Sequence, residues 1–350
     1  MPSRPSTGRA PTGSSSTPIS SRRLHGGCLG SIAADRRSLG NAITPMDGQG
    51  EAINEVAFRQ LLRYMAEGGT TVFVGGPHAT EFVNLDRAER RRLWEIGVDE
   101  LNGKHPVNAI PFGPASTTEL IGMFKLARDM GFDGAQLYPG AQDGHGNDGL
   151  FIAEAERYFR DVLEAIEMPM YLCGYHGAEI IDSPNKRIPL EMLARLVDDY
   201  PHIVGVTIMS DEDRVLRDFL DRIGGRRPVR LAGALDWYAT MELGVYGFHS
   251  IQQSIAPRLC SRMMEAFHSG DRDTAKTLSA RIRRLNEIIH APQRYYPRSL
   301  KPALSHLGFD VGIIRRPYLP LNREEQLRMF AELDALDLAQ SEALPVKRAG

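Results

Sequence analysis

The sequence predicts an α/β protein, a (β/α)8 barrel with a helical C-terminal extension. Eight short apolar runs, each bounded by Gly or Pro, alternate with longer segments in which apolar residues recur every three or four positions. Such alternation is typical of a parallel sheet covered by helices. Eight units over roughly 230 residues fit a closed barrel better than an open sheet, and no GxGxxG motif opens a helix.

The elements follow in chain order. The predicted strands are residues 39–44, 70–76, 106–112, 133–138, 168–174, 203–209, 228–233 and 244–251. Helical periodicity between them is clear in residues 57–65, 85–101, 117–130 and 188–199. After the eighth strand, helices are predicted at residues 256–269, 272–290, 300–307 and 323–336.

The domain boundaries follow from composition. Residues 1–22 are rich in Ser, Pro, Thr and Arg and offer little to bury, which predicts a disordered extension. An organelle transit peptide is the alternative, although the segment lacks an amphipathic apolar face. The barrel is expected over residues 38–270, the helical extension over 271–338 and a flexible tail over 339–350.

Charge and cysteine content indicate the class of partner and the cellular compartment. The 350 residues carry a formal net charge of -2 and no basic stripe, which favours a small-molecule partner over nucleic acid or a membrane surface. The three cysteines, Cys28, Cys173 and Cys260, are odd in number and form no CxxC pair. This usage predicts a cytoplasmic protein.

Four stretches carry a resemblance to a known family. They are ITPMDGQG at 43–50, LAGALD at 231–236, GFHSI with APRL at 247–259, and KPALSHLG with RPYLPL at 301–321. In order and spacing they resemble the dihydrodipicolinate synthase and N-acetylneuraminate lyase family, from about residue 38 to 337. The resemblance implies a homodimer or homotetramer and a reaction in which a lysine forms a Schiff base with pyruvate.

Strand six departs from the family at that lysine. The family phrase Val-Val-Gly-Ile-Lys aligns without a gap to residues 203–207, which end in Thr207. A threonine hydroxyl cannot form an imine. Among the six lysines, only Lys186 lies in a loop that could reach the barrel mouth, and a solvated side chain is its simpler interpretation.

Strand two also departs from the family. Its Gly-Thr-Thr-Gly-Glu run, which holds the pyruvate carboxylate, is replaced by residues 75–81, with His78 and Ala79 in place of the two threonines. His78 could bind a carboxylate or carry protons, or it could be a polar surface group. His176, after strand five, is a second histidine at the end of a strand, where barrel active sites lie.

Tyr138 precedes the proline of strand four, so it does not match the family's catalytic tyrosine cleanly. It is either a displaced acid/base group or a packing aromatic. The loop at 140–149 is either a long connection or a lid. We predict as catalytic residues His78, His176 and Tyr138, and as substrate-binding residues Gly76, Thr80, Glu81, Tyr175, Thr207, Ser210 and His249.

No cofactor is predicted. A metal site built from His78, His176 and Glu81 is an alternative, although no HxxxH or HxH spacing supports it. Two functions remain open. The first is a lyase or hydratase acting on an oxo acid, or a related carbonyl compound, without a lysine Schiff base. The second is a catalytically inactive barrel that binds a metabolite or serves as an assembly partner, since fold alone does not decide function.

Overall fold

The computed structural model describes residues 37–113, 116–138, 152–175, 189–210, 213–291, 294 and 297–344. Eight parallel strands form one sheet in sequential order. The strands are β1 (Ser38–Ala42), β2 (Thr70–Gly75), β3 (Val107–Ile110), β4 (Gly134–Leu137), β5 (Met170–Tyr175), β6 (Ile203–Met209), β7 (Val229–Ala232) and β8 (Gly247–Phe248). A parallel bridge between Leu39 and His249 joins the last strand to the first, which closes the barrel.

Helices surround the sheet and continue beyond it. Those of the shell are α1 (Glu55–Glu67), α2 (Arg87–Leu101), α3 (Thr117–Met130), α4 (Ile152–Ala165), α5 (Leu190–Asp199), α6 (Asp213–Ile223), α7 (Trp237–Glu242), α8 (Gln252–Ile255) and α9 (Pro257–Ser269). The C-terminal extension contains α10 (Arg272–Ile289), α11 (Leu300–His306), α12 (Arg323–Asp334) and α13 (Leu338–Ser341).

The predicted fold class is confirmed, and each predicted strand coincides with an observed one. The eighth is the exception in length, because β8 pairs with β7 only through Gly247 and Phe248 before the chain turns into α8. None of the described helices is long and apolar enough to cross a membrane.

Local sequence explains where several helices begin. Asp86 accepts a hydrogen bond from the backbone N–H of Glu89, and the Glu89 carboxylate accepts one from the backbone N–H of Asp86. This reciprocal capping box satisfies two N–H groups that have no partner within α2. At α1, α3 and α12 the side chain of the capping residue accepts one backbone N–H bond; these residues are Asn54, Ser116 and Asn322.

Two segments of the C-terminal part are packed against the rest of the protein. In the segment from Trp237 to Tyr246, Trp237 is fully buried and stacks on Phe248 at 4.0 Å between ring centroids. The predicted tail at 339–350 begins within α13, and Glu342 is 1% exposed. Residues 1–22 lie outside the described part of the chain.

Candidate active site at the C-terminal mouth of the barrel

A layer of side chains from the even-numbered strands fills the barrel lumen. Gln136 Nε2 of β4 lies 3.2 Å from Thr207 Oγ1 of β6 and 3.2 Å from Nδ1 of His249, the residue that follows β8. The Phe73 ring of β2 lies 5.0 Å from the His249 ring. Barrel interiors are built from such layers of four, usually of branched apolar residues. Here three of the four side chains are polar, and we call Gln136, Thr207 and His249 the lumen network.

His249 is neutral within this network. Burial, and then the positive charge of nearby Arg230, lower its pKa from 6.5 to about 3. Its Nε2 lies 2.6 Å from Asn41 Oδ1, an acceptor, so Nε2 carries the proton. Nδ1 is therefore free to accept from the Gln136 amide at 3.2 Å. A histidine held in this state does not exchange protons near neutral pH.

Thr207 occupies the position where the family resemblance implies the lysine. Its side chain is 2% exposed and lies within the lumen network. The lysines of the described residues are engaged or placed elsewhere. Lys104 donates to the carbonyl of Glu100, and Lys276 lies over the Tyr238 ring. Lys186 lies outside the described residues, so its interpretation stays a prediction.

The end of β2 is shaped by two glycines. Gly75 and Gly76 have φ of 109° and 112°, a region that favours glycine. A Cβ at Gly75 would lie 2.4 Å from the carbonyl oxygen of Ile110, so the close approach of β2 and β3 also requires glycine. This bend leads the chain into a short 3-10 turn at His78–Thr80, which places the backbone of His78 at the barrel mouth. The His78 side chain lies outside the described part.

Thr80 and Glu81 make internal contacts. The Thr80 hydroxyl donates to the carbonyl of Pro77 at 3.0 Å and accepts from the N–H of Phe82 at 3.3 Å. The Glu81 carboxylate is 1% exposed and pairs with Lys301 Nζ at 2.7 Å. Both residues were predicted to bind substrate. Because their polar groups already have partners within the protein, these contacts support a structural role, and we leave both out of the proposed ligand contacts.

Tyr138 is buried at the end of β4. Its ring meets the Phe112 ring edge-on at 5.6 Å, and its carbonyl accepts a hydrogen bond from the Tyr158 hydroxyl at 3.0 Å. These contacts favour the packing alternative over the displaced acid/base group. Ser210 follows the last residue of β6 and is partly exposed at the mouth.

Several predicted residues fall on parts that are not described. The backbone of Tyr175 ends β5, but its side chain, His176 and the loop at 140–149 lie outside the described residues. Within the described residues, no group of three His, Cys, Asp or Glu side chains could hold a metal ion. Since the metal alternative depends on His78 and His176, it stays a prediction, although the pairing of Glu81 with Lys301 removes one of its three ligands.

Sequence reasoning missed Gln136, Asn41 and Arg230. All three lie on strands, and Gln136 and Arg230 are 0% and 1% exposed. A signal was present, because each interrupts an apolar strand run with a polar residue. Such an interruption indicates either a buried polar network or a bend. The two are distinguished by the alternation of strand side chains, which tells whether the polar residue faces the lumen.

Comparisons with known proteins give the family. The dihydrodipicolinate synthetase family model matches residues 34–336. A 4-hydroxy-tetrahydrodipicolinate synthase of Acidiphilium cryptum (strain JF-5) is 30% identical over 307 residues, which cover 86% of this chain and 98% of that protein. The same enzyme of Methanopyrus kandleri is 28% identical over 297 residues, covering 85% and 94%.

Solved structures agree on the fold. Dihydrodipicolinate synthase from Bacillus anthracis superposes with a TM-score of 0.74 at 22% identity, covering 89% of this chain and 99% of that one. The chloride-inhibited dihydrodipicolinate synthase from Acinetobacter baumannii, complexed with pyruvate, gives 0.74 at 23% identity, covering 87% and 100%. The family match over most of the chain agrees with the strand order and the closed barrel. This chain therefore belongs to the dihydrodipicolinate synthetase family, a family of lyase-type enzymes.

Proposed function

We propose that the protein is a lyase or hydratase that acts on a small oxo acid, or a related carbonyl compound, without a lysine Schiff base. The observation that supports this proposal is the side chain of Thr207, which accepts a hydrogen bond from Gln136 at the position that the family resemblance aligns with the lysine. A hydroxyl in that place can orient a carbonyl or exchange a hydrogen bond with it, but it cannot condense with it.

Catalysis without an imine needs another way to stabilise developing negative charge. In an imine mechanism the protonated nitrogen accepts the electrons, whereas an enolate must be stabilised by nearby donors or positive charge. The buried guanidinium of Arg230 lies close enough to His249 to lower the pKa of that imidazole. This guanidinium lies 5.1 Å from the centroid of the Tyr246 ring, next to the start of β8, so we propose that the donors for an enolate lie nearer the mouth.

Proton transfer then falls to other groups. His249 is unsuited because its pKa is lowered to about 3, and Tyr138 is packed against Phe112. We propose His78 and His176 as the acid/base pair, since both follow the ends of strands that open at the mouth. Histidine is the side chain whose ordinary pKa suits this task near neutral pH.

The oxo-acid substrate is proposed from similarity of fold and family. The Acinetobacter baumannii relative is a complex with pyruvate, and the curated relatives are 4-hydroxy-tetrahydrodipicolinate synthases. The β2 end of this chain differs in sequence from the family's threonine pair, so we propose a ligand held by Gly76, Thr207 and Ser210 at the mouth. We further propose a cytoplasmic homodimer or homotetramer that needs no cofactor.

Incubation of the protein with pyruvate followed by borohydride should leave its mass unchanged. Borohydride reduces an imine to a stable amine, and the described residues place no lysine amine in the lumen. Intact-mass spectrometry reads the result, and a dihydrodipicolinate synthase that carries the strand-six lysine is the positive control. A reduced adduct on any lysine of this chain, Lys186 included, would show that imine chemistry has been relocated rather than lost.

His78→Asn and His176→Asn should each lower turnover of the oxo-acid substrate by roughly tenfold or more, the scale of a lost acid/base group. Turnover by the parent should change between about pH 5.5 and 7.5, where an ordinary imidazole titrates, and so should the ratio of parental to variant turnover. His306→Asn, in the half-buried last turn of α11, is the matched control and should retain parental rates. Parental rates in both mouth variants would remove these histidines from the mechanism.

The inactive barrel stays the alternative function. One observation favours it: Thr207 and His249 are 2% and 4% exposed and already hydrogen-bond to Gln136, so both side chains are engaged within the protein. Native mass spectrometry after exposure to a metabolite extract distinguishes the two. An inactive binding protein retains an unchanged small molecule, whereas an enzyme converts the retained compound during incubation.

A further inference from the structure

A buried ion pair joins the C-terminal extension to the chain that follows β2. Lys301 Nζ, in the first turn of α11, lies 2.7 Å from Glu81 Oε1, and both side chains are 1% exposed. Lys301 also donates to the carbonyl of Ile313 at 2.8 Å, and Glu81 Oε2 accepts from the backbone N–H of Arg315 at 2.8 Å. Both charges are therefore desolvated and both are satisfied.

Arg315 extends the same connection. Its guanidinium forms a two-pronged contact with the Glu89 carboxylate at 2.6 and 2.8 Å, and donates to the carbonyls of Asn84 at 3.4 Å and Gly50 at 3.1 Å. Paired contacts of this kind fix direction as well as distance. The extension thus holds the segment between β2 and α2 at Glu81 and Asn84, and the first turn of α2 at Glu89.

The held segment has a conformation that it would not adopt readily alone. Glu81 has φ of 61°, in the left-handed region that side chains other than glycine rarely occupy. On its other side, the carbonyl of Thr80 accepts hydrogen bonds from both the N–H and the hydroxyl of Thr44, at 3.1 and 2.7 Å. Such backbone persists where the surroundings over-determine it, and these contacts do so.

We propose that Lys301 is a positioning residue, which acts through Glu81 to hold residues 76–84 at the barrel mouth in the conformation that binds ligand. The ammonium does not contact the ligand. Its role is to anchor the segment that carries Gly76 and His78, so that the ligand affinity of the barrel depends on the helical extension. The ligand-binding part of this inference rests on the proposed function, whereas the anchoring part does not.

Alternative roles for Lys301 fit the geometry less well. Burial lowers its pKa, while the adjacent Glu81 carboxylate opposes that shift. A lysine with a lowered pKa can serve as a nucleophile, but this amine is 1% exposed and is already engaged by a carboxylate and a carbonyl. Access for a carbonyl substrate would require both contacts to break. Anchoring uses the contacts as they stand.

The chain offers a matched control for the experiment. Arg294 and Glu325 form a second buried ion pair within the same extension, 2.5 Å apart with side chains 3% and 8% exposed. Glu325 lies in the first turn of α12, where its backbone N–H donates to the Asn322 side chain. Its carboxylate pairs with Arg294 and Arg328, which also belong to the extension. A variant Glu325→Gln therefore weakens a buried pair of similar kind without touching residues 76–84.

Hydrogen exchange measured by mass spectrometry tests the anchor without any ligand. In Lys301→Met, amides of residues 76–84 should exchange at least tenfold faster than in the parent, while amides of β6 should be unchanged. Glu325→Gln should leave residues 76–84 as in the parent. The double variant Lys301→Met with Glu81→Leu removes both charges together, so it should fold where the single variant does not and should still exchange rapidly at 76–84.

Parental exchange at residues 76–84 in the folded Lys301 variants would overturn the anchor. Equal acceleration in Glu325→Gln would also overturn it, because the effect would then report general loss of stability. Pyruvate is the binding probe for the second part, and its Kd by calorimetry should rise at least tenfold in Lys301→Met but not in Glu325→Gln. Failure of the parent protein to bind pyruvate would overturn the proposed function, and the exchange result would still decide the anchor.

Discussion

Acidification from pH 7 to pH 4 should lower the free energy of unfolding by about 3 kcal/mol through His249 alone. Burial, and then Arg230, lower its pKa from 6.5 to about 3 in the folded protein. The unfolded chain therefore binds a proton as pH falls through 6.5, while the folded protein does not until about pH 3. Stability contributed by neutral His249 is complete above pH 6.5 and is lost below it. At pH 4 the loss spans about 2.5 pH units, at about 1.4 kcal/mol each.

The comparison that isolates this effect is between the parent and His249→Gln in urea denaturation from pH 7 to pH 4. Glutamine can still reach Asn41 and Gln136 but does not titrate. Between pH 7 and pH 4 the free energy of unfolding of His249→Gln should therefore fall by about 3 kcal/mol less than that of the parent. The difference between proteins is needed because burial also lowers the pKa of His202 and His290. An equal decrease in the free energy of unfolding of the parent and of His249→Gln would contradict a neutral, buried imidazole.

Neutral His249 also has a consequence for mechanism. It lies next to Thr207, at the position where the family resemblance places the reacting amine, yet it cannot carry a proton near pH 7. Its contribution is therefore to orient the Gln136 amide rather than to titrate. This reasoning leaves the acid/base steps to groups nearer the solvent, which is why His78 and His176 remain the proposed pair.

The fold could be predicted from sequence because its signals are local. The apolar run at residues 203–209 coincides with β6, and the helical period at 272–290 coincides with α10 to within one residue. Burial on both faces of a parallel strand makes such runs nearly continuous, and Gly or Pro marks their ends. Eight such units in sequence leave few topologies to choose between.

The site could be predicted only in part, because its contacts join residues far apart in the chain. Lys301 lies at the start of the helix predicted at residues 300–307, and nothing near it in sequence shows that Glu81 approaches from the end of β2. Thr207 was found by alignment within one strand. Its partner Gln136 lies on another strand, and only the geometry of the closed barrel brings their side chains within 3.2 Å. Pairings of this kind leave no mark on local periodicity.

Removal of the Glu342 carboxylate should lower the free energy of unfolding by about 2 to 4 kcal/mol, although this residue lies in a segment predicted to be a flexible tail. The carboxylate accepts hydrogen bonds from the backbone N–H groups of Arg258 and Leu259, both at 2.9 Å, in the first turn of α9. It also accepts one from the Tyr64 hydroxyl at 3.2 Å. Burial raises its pKa, while these three donors oppose that shift. In Glu342→Ala, the helix N–H groups would be left buried without an acceptor.

Thermal and urea unfolding of Glu342→Ala, against Glu324→Ala as control, measure this contribution. Glu324 pairs with Arg328 on an exposed face of α12, where loss of a carboxylate costs at most about 1 kcal/mol. A chain ending at Asp337 should be destabilised at least as much as Glu342→Ala, whereas one ending at Leu344 should match the parent. If the chain ending at Asp337 were as stable as the parent, the carboxylate would be dispensable and the fold would end at the predicted boundary. The carboxylate instead closes the N-terminus of α9 against α1, which makes residues 338–342 part of the folded unit.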